Sequence, residues 1–186
     1  MSLVMLHRHP VCALRVGLIP ALGMGKRSVA STVDPKGEWA AAIGSAFVAF
    51  GSIEHTTVVC LREIPSDSIW RFSKSLKLVP RVDLLLELLE PYQHQECLAL
   101  ADKLTQVKEL ARTRNLIAHN PLVLQIHEDG QGNRIFGSAI TAIHKEGHLI
   151  SLPEAQKFAA TCEELAFDLV GVSINAFKAL GRIAHA

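Results

Sequence analysis

Three stretches of this chain carry apolar residues at alternating spacings of three and four, and nothing else in the sequence limits the fold as strongly. Trp39, Ile43, Phe47, Phe50, Val58 and Leu61 mark the first, Leu100, Leu104, Val107 and Ala111 the second, and Phe158, Cys162, Leu165, Leu169, Val172 and Ala176 the third. At 3.6 residues per turn, that spacing draws one apolar stripe along a helix, and each stripe must be covered by another element. The pattern predicts long helices over residues 38 to 64, 95 to 119 and 152 to 180. The fold class that follows is mainly α, a bundle of four to five helices once shorter apolar segments are added.

Composition agrees with one such core. The chain has 186 residues, 49% hydrophobic and 20% charged, with aromatics at only 5%, so packing rests on Leu, Ile, Val and Ala. Residues 1 to 33 hold Arg8, Arg15, Lys26 and Arg27 and no acid, which leaves 15 basic against 18 acidic residues in the remainder. A mildly acidic body excludes a wide basic groove for duplex nucleic acid, so any contact with nucleic acid is expected to be local. Cys12, Cys60, Cys97 and Cys162 are far apart and form no CxxC pair, the usage of reduced thiols in a cytoplasmic protein. Arg15, Pro10 and Pro20 interrupt what would be a signal-peptide core. Residues 1 to 35 are therefore read as a disordered tail or a mis-assigned start, and residues 36 to 182 as the domain. No uninterrupted apolar run approaches the ~18 residues of a membrane span, and no membrane partner is expected.

Punctuation divides the domain further. Pro65 ends the first helix, and Ser66 or Asp67 is placed to cap a short helix through Ile69, Trp70 and Phe72. Val82 to Leu89 form another short apolar segment closed by Pro91. After Pro121, Leu122 to Ile126, the turn-rich Glu128 to Asn133, and Arg134 to Phe136 read as a β-hairpin. A third strand is expected around Ala139 to Ile143, with Lys145-Glu146-Gly147 as its turn. The hairpin or small meander is an insertion over residues 122 to 150, closed by the capping box Ser151-Leu152-Pro153-Glu154 that opens the last helix.

Two charges fall where the stripes call for apolar residues. Three residues beyond Ala111 the second stripe lands on Arg114, and four beyond Phe50 the first lands on Glu54. Desolvated charges persist when paired, so Glu54 and Arg114 are expected to meet between the two helices. That placement serves a purely structural ion pair as well as a site. Asn115 and His119, four apart, add a polar face beside Arg114 at the end of the helix. Arginine supplies a permanent forked cation suited to phosphate, and histidine is the side chain that moves protons near neutral pH. The helix's negative dipole end repels phosphate, so the adjacent arginine is needed to hold an anion there.

Arg114-Asn115-Leu116-Ile117-Ala118-His119 at the end of a long helix, with Glu54 embedded in the first one, resembles the HEPN superfamily (higher eukaryotes and prokaryotes nucleotide-binding). That family's signature is an arginine, commonly followed by a polar residue, with a histidine after four to six positions. Arg112 also satisfies the spacing to His119, and Asn115 decides for Arg114. The resemblance covers roughly residues 38 to 180 and implies a HEPN-like helical bundle, often homodimeric, with the two motifs facing each other. It implies a metal-independent endoribonuclease of toxin–antitoxin, phage-defence or RNA-processing systems, or an inactive dimerisation or nucleotide- or RNA-binding module. In the enzyme so implied, His119 serves as general acid or base, Arg114 binds the phosphate and stabilises its charge, Asn115 orients the phosphate or the imidazole, and Glu54 steadies Arg114, with Arg112 nearby in support. RNA, a second copy and an antitoxin or other protein are the implied partners, and no cofactor or metal is. His7 with His9, and His144 with His148, lack a third ligand at useful spacing, and Gly130-Gln131-Gly132 opens no helix, so it is a turn.

Overall fold

A computed structural model describes residues 33 to 65, 69 to 73, 75 to 143 and 149 to 183. The described elements are α1 (Glu38–Glu63), α2 (Ile69–Ser73), α3 (Leu78–Leu89), α4 (Gln95–His119), β1 (Leu122–Glu128), β2 (Arg134–Thr141), β3 (Leu149–Ile150) and α5 (Leu152–Ala179). The chain is thus mainly helical with a small antiparallel sheet in the order β1-β2-β3. The expected cap at Ser66 or Asp67, the turn at Lys145 to Gly147, Cys12 and the histidine pairs lie outside the described residues.

α1 begins at Gly37, whose φ of 73° is the left-handed region that glycine enters without a Cβ penalty. The Asp34 carboxylate accepts the free N–H groups of Trp39 (3.1 Å) and Ala40 (2.8 Å). α1 and α5 run parallel: Ser45 Oγ donates to Glu163 towards one end, and Arg182 Nη2 donates to the Ile64 carbonyl (3.1 Å) at the other. Their seam differs from the one read off the large residues. Ala42, Ala46, Ala49 and Ile53 are buried, while Ile43, Phe47 and Val58 are only half-buried. The buried line is rotated towards small side chains, and on α5 Ala155, Ala159, Cys162 and Ala166 match it. Small residues let the two backbones approach closely, and a reading weighted to bulky residues misses that.

α4 runs antiparallel to α5, tied by Lys103 Nζ to Asp168 Oδ2 (2.7 Å), and packs on α3 with Lys108 Nζ bonded to Asp83 Oδ1 (2.5 Å). Cys97, Leu100, Leu104, Val107 and Ala111 are buried along it, as the spacing requires. Phe50, Ile53, Leu100, Leu104 and Leu169 fill the centre, each worth about 1.5–3 kcal/mol of transfer free energy. Cys60, Cys97 and Cys162 are free and buried; burial pushes the thiols of Cys60 and Cys162 up to about 12 and raises that of Cys97. α1 is the one described helix long and apolar enough by composition to cross a membrane, and its apolar stripe is buried against its neighbours in the bundle.

The hairpin forms in the expected place but is longer. Leu122 pairs with Ile140 and Glu128 with Arg134, so Ala139 to Thr141 continue β2 and are not a separate third strand. The third strand is Leu149–Ile150, paired to Ile140 and Thr141. Propensity alone cannot choose between one long strand and two short ones, because pairing to an unbroken β1 decides it. α3 likewise starts earlier than Val82, at Leu78, with Pro80 in its first turn where no N–H is needed. The capping box of α5 is present: Glu154 N–H donates to Ser151 Oγ, and Ser151 N–H donates to Glu154 Oε2 at 2.7 Å.

Candidate functional site

Arg114 sits where α4 crosses the middle of α1, and its guanidinium meets Glu54 there as the broken stripes require, with Nη2 to Oε1 at 3.6 Å. The two side chains are 31% and 42% exposed, so the pair is at the edge of the core and not inside it. The guanidinium also lies over the rings of Phe47 and Phe50, 5.4 and 6.0 Å from their centroids, an attraction of the cation for the ring face. Arg114 Nη1 donates to Asn115 Oδ1 (3.1 Å), while Nε is buried with no partner among the described residues. Glu54, Phe47 and Phe50 thus fix the arginine from α1, leaving part of the fork for a ligand.

The remaining motif residues divide. Asn115 shares the cleft with Arg114. His119, the last residue of α4, is exposed and is not one of the cleft's walls. Ideal helix geometry places it about 7.5 Å further along the axis and about 140° round from Arg114, but only about 40° from Asn115. Within one chain, the cleft that Arg114 and Asn115 line does not include His119. Arg112 is exposed and also outside the cleft. Beyond His119, Asn120 caps the helix: its Nδ2 donates to the Leu116 carbonyl (2.7 Å) and its Oδ1 accepts Ile143 N–H (2.8 Å).

The cleft is built from three helices. Phe50 and Glu54 come from α1, Ala111, Arg114 and Asn115 from α4, and Lys77 to Arg81 from the start of α3, enclosing about 360 Å³. Lys77 and Arg81 are absent from the motif reading. Arg81 is 9% exposed and donates to the Glu54 carbonyl (3.2 Å), Thr57 Oγ1 (3.1 Å) and the Leu76 carbonyl (2.7 Å). It precedes Leu85 by one turn on the buried face of α3, and that spacing is the signal that marks it as a third charge on an apolar stripe.

The chain matches no protein-family model, no curated protein and no solved structure. Among the described residues no three His, Cys, Asp or Glu side chains are grouped as metal ligands. What the arrangement offers chemically is a fixed arginine, an amide and a lysine around a hollow of about 360 Å³, with an imidazole outside it.

Proposed function

We propose that this chain is a HEPN-like module that binds RNA or nucleotides, gripping a phosphate through Arg114 and Asn115. The observation that carries this reading is the placement of Arg114: Glu54 and two aromatic rings hold its guanidinium at the wall of an open cleft, one residue from an amide that shares that wall. Guanidinium pre-organised in this way loses little entropy when it closes on phosphate oxygens. Fluorescence anisotropy of a labelled oligoribonucleotide with the full chain in EDTA tests it. Arg114→Ala is expected to weaken binding about tenfold or more, the loss of a charge-assisted contact, and His119→Ala to bind like the parent. Equal affinity of parent and Arg114→Ala overturns the reading.

A second reading, a HEPN-like metal-independent endoribonuclease of a toxin–antitoxin or defence system, is favoured by His119, which is exposed one turn beyond Asn115. There the imidazole would act as general acid or base on the 2′-hydroxyl or the leaving 5′-oxygen, with Arg114 stabilising charge on the phosphate. Because His119 stands round the helix from the cleft, a complete centre takes Arg114 from one copy and His119 from a second. Cleavage of RNA in EDTA that is abolished by His119→Ala supports the enzyme, and its persistence in that variant removes it.

A further inference from the structure

We infer that the cleft takes a terminal phosphate, the dianionic phosphomonoester of a free nucleotide or of an RNA end, in preference to an internal phosphodiester. This deepens the binding reading and rests on it for Arg114 alone. Three cations, Lys77, Arg81 and Arg114, line the hollow against a single carboxylate, Glu54, in a domain whose acidic residues otherwise outnumber its basic ones.

Arg81 is the observation that points to an anion. Its side chain is nine-tenths buried, its described partners are two carbonyls and a hydroxyl, and its Nε has none. Among the described residues no carboxylate forms an ion pair with it. A buried guanidinium normally has a counter-anion, because desolvation of the charge is otherwise uncompensated. Arg81 contributes charge and not a donor, since its Nη atoms are bonded and its Nε is sealed from the hollow, and the wall beside it supplies the donors. α3 has Lys77 as its N-cap with no side-chain cap, so the N–H groups of Leu78 and Val79, two of the residues lining the cleft, have no described partner. Those groups and the positive end of the α3 dipole favour an anion. Lys77 itself is exposed and makes no ion pair among the described residues.

Charge count separates the two kinds of phosphate. An internal diester brings one negative charge, while a monoester brings about 1.5 to 2 at neutral pH and has three free oxygens. Three free oxygens match three donor sources: the Arg114 fork, the Lys77 ammonium and the α3 amides. A hollow of about 360 Å³ is within the size range of small-ligand sites.

The test measures affinity of the full chain, in EDTA and in the His119→Ala background so that nothing is cut, for four probes: AMP, a short oligoribonucleotide with a 5′-phosphate, the same with a 3′-phosphate, and the same with hydroxyl ends. At least one phosphate-ended probe is expected to bind about tenfold more tightly than the hydroxyl-ended one, the scale of one or two charge-assisted contacts. Lys77→Ala is expected to remove that advantage, Lys77→Arg to restore most of it, and Lys157→Ala, on the exposed side of α5, to change nothing. AMP binding identifies a nucleotide site, and tight binding of only an oligonucleotide identifies an RNA end. Equal affinity for all oligonucleotides, or an advantage untouched by Lys77→Ala, overturns the inference. If hydroxyl-ended RNA still binds and Arg114→Ala still weakens it, the binding function stands and only the end-specificity falls. Loss of binding by every probe in the parent removes both.

Discussion

Arg114 is held by contacts of unlike strength. Its ion pair with Glu54 is 3.6 Å long and partly exposed, the class of pair worth about 0–1 kcal/mol, whereas its stacking on Phe47 and Phe50 carries packing that does not depend on charge. Glu54→Gln is therefore expected to lower unfolding free energy by no more than about 1 kcal/mol in urea titrations. A loss several times larger would show that Glu54 compensates a deeper charge, such as the Arg81 guanidinium bonded to its carbonyl. Both members of this pair were legible in the sequence, because a charge replaced an apolar residue in a regular stripe. Lys77 and Arg81 were not reached, since both precede a helix start placed at Val82, although Arg81 stands one turn before Leu85 on the same buried face. His119 follows Arg114 by five positions, close along the chain but more than a third of a turn around a helix, so sequence spacing alone does not say whether the two side chains share one pocket.

At the scale of elements, the helices were readable and the sheet only in outline. A 3.6-residue stripe identifies α4 and α5 by itself, while β2 and β3 depend on which strand pairs with which, a non-local choice. The hairpin tip has a local determinant. Asn133 Nδ2 and the amides of Asn133 and Gln131 donate to the Asp129 carboxylate, with Gly132 at φ 82° completing the turn. The Asn133 side chain first, and then the backbone amides, hold that carboxyl below its usual value. A depressed carboxyl stabilises the fold above its unfolded pKa and stops doing so as pH falls through the folded one, so the tip should loosen below about pH 4. Amide exchange measured from pH 7 downward should show Gln131 and Asn133 losing protection while α4 keeps it, and Asp129→Asn should abolish that pH dependence. Protection at the tip that is unchanged through about pH 3 would contradict it.

For the whole molecule, the outer surface of the α1–α5 pair is the feature that one chain leaves unexplained. Val48 and Phe167 are 75% and 83% exposed, and Val170 and Ile174 extend the apolar line along α5. Gly44, Gly51 and Gly171 fall on the same face; a Cβ at any of them would meet nothing within 4 Å, and each costs its helix about 1 kcal/mol relative to alanine. A face that is apolar and kept shallow suits a second copy of the same helix pair, the homodimer that the HEPN-like reading implies. Sedimentation should give a dimer for the parent and a monomer for Phe167→Glu, and a parent that sediments as a monomer at high concentration refutes it. The small sheet has a mechanical consequence of its own. Thr141 N–H bonds to the Pro121 carbonyl (3.2 Å) and Ile143 N–H to Asn120 Oδ1, so the end of β2 is tied to the two residues that follow α4. Ile126, Ile135 and Phe136 stand bare near its far end. A protein docked on those apolar side chains would be coupled to Asn120 and Pro121, the residues that directly follow His119.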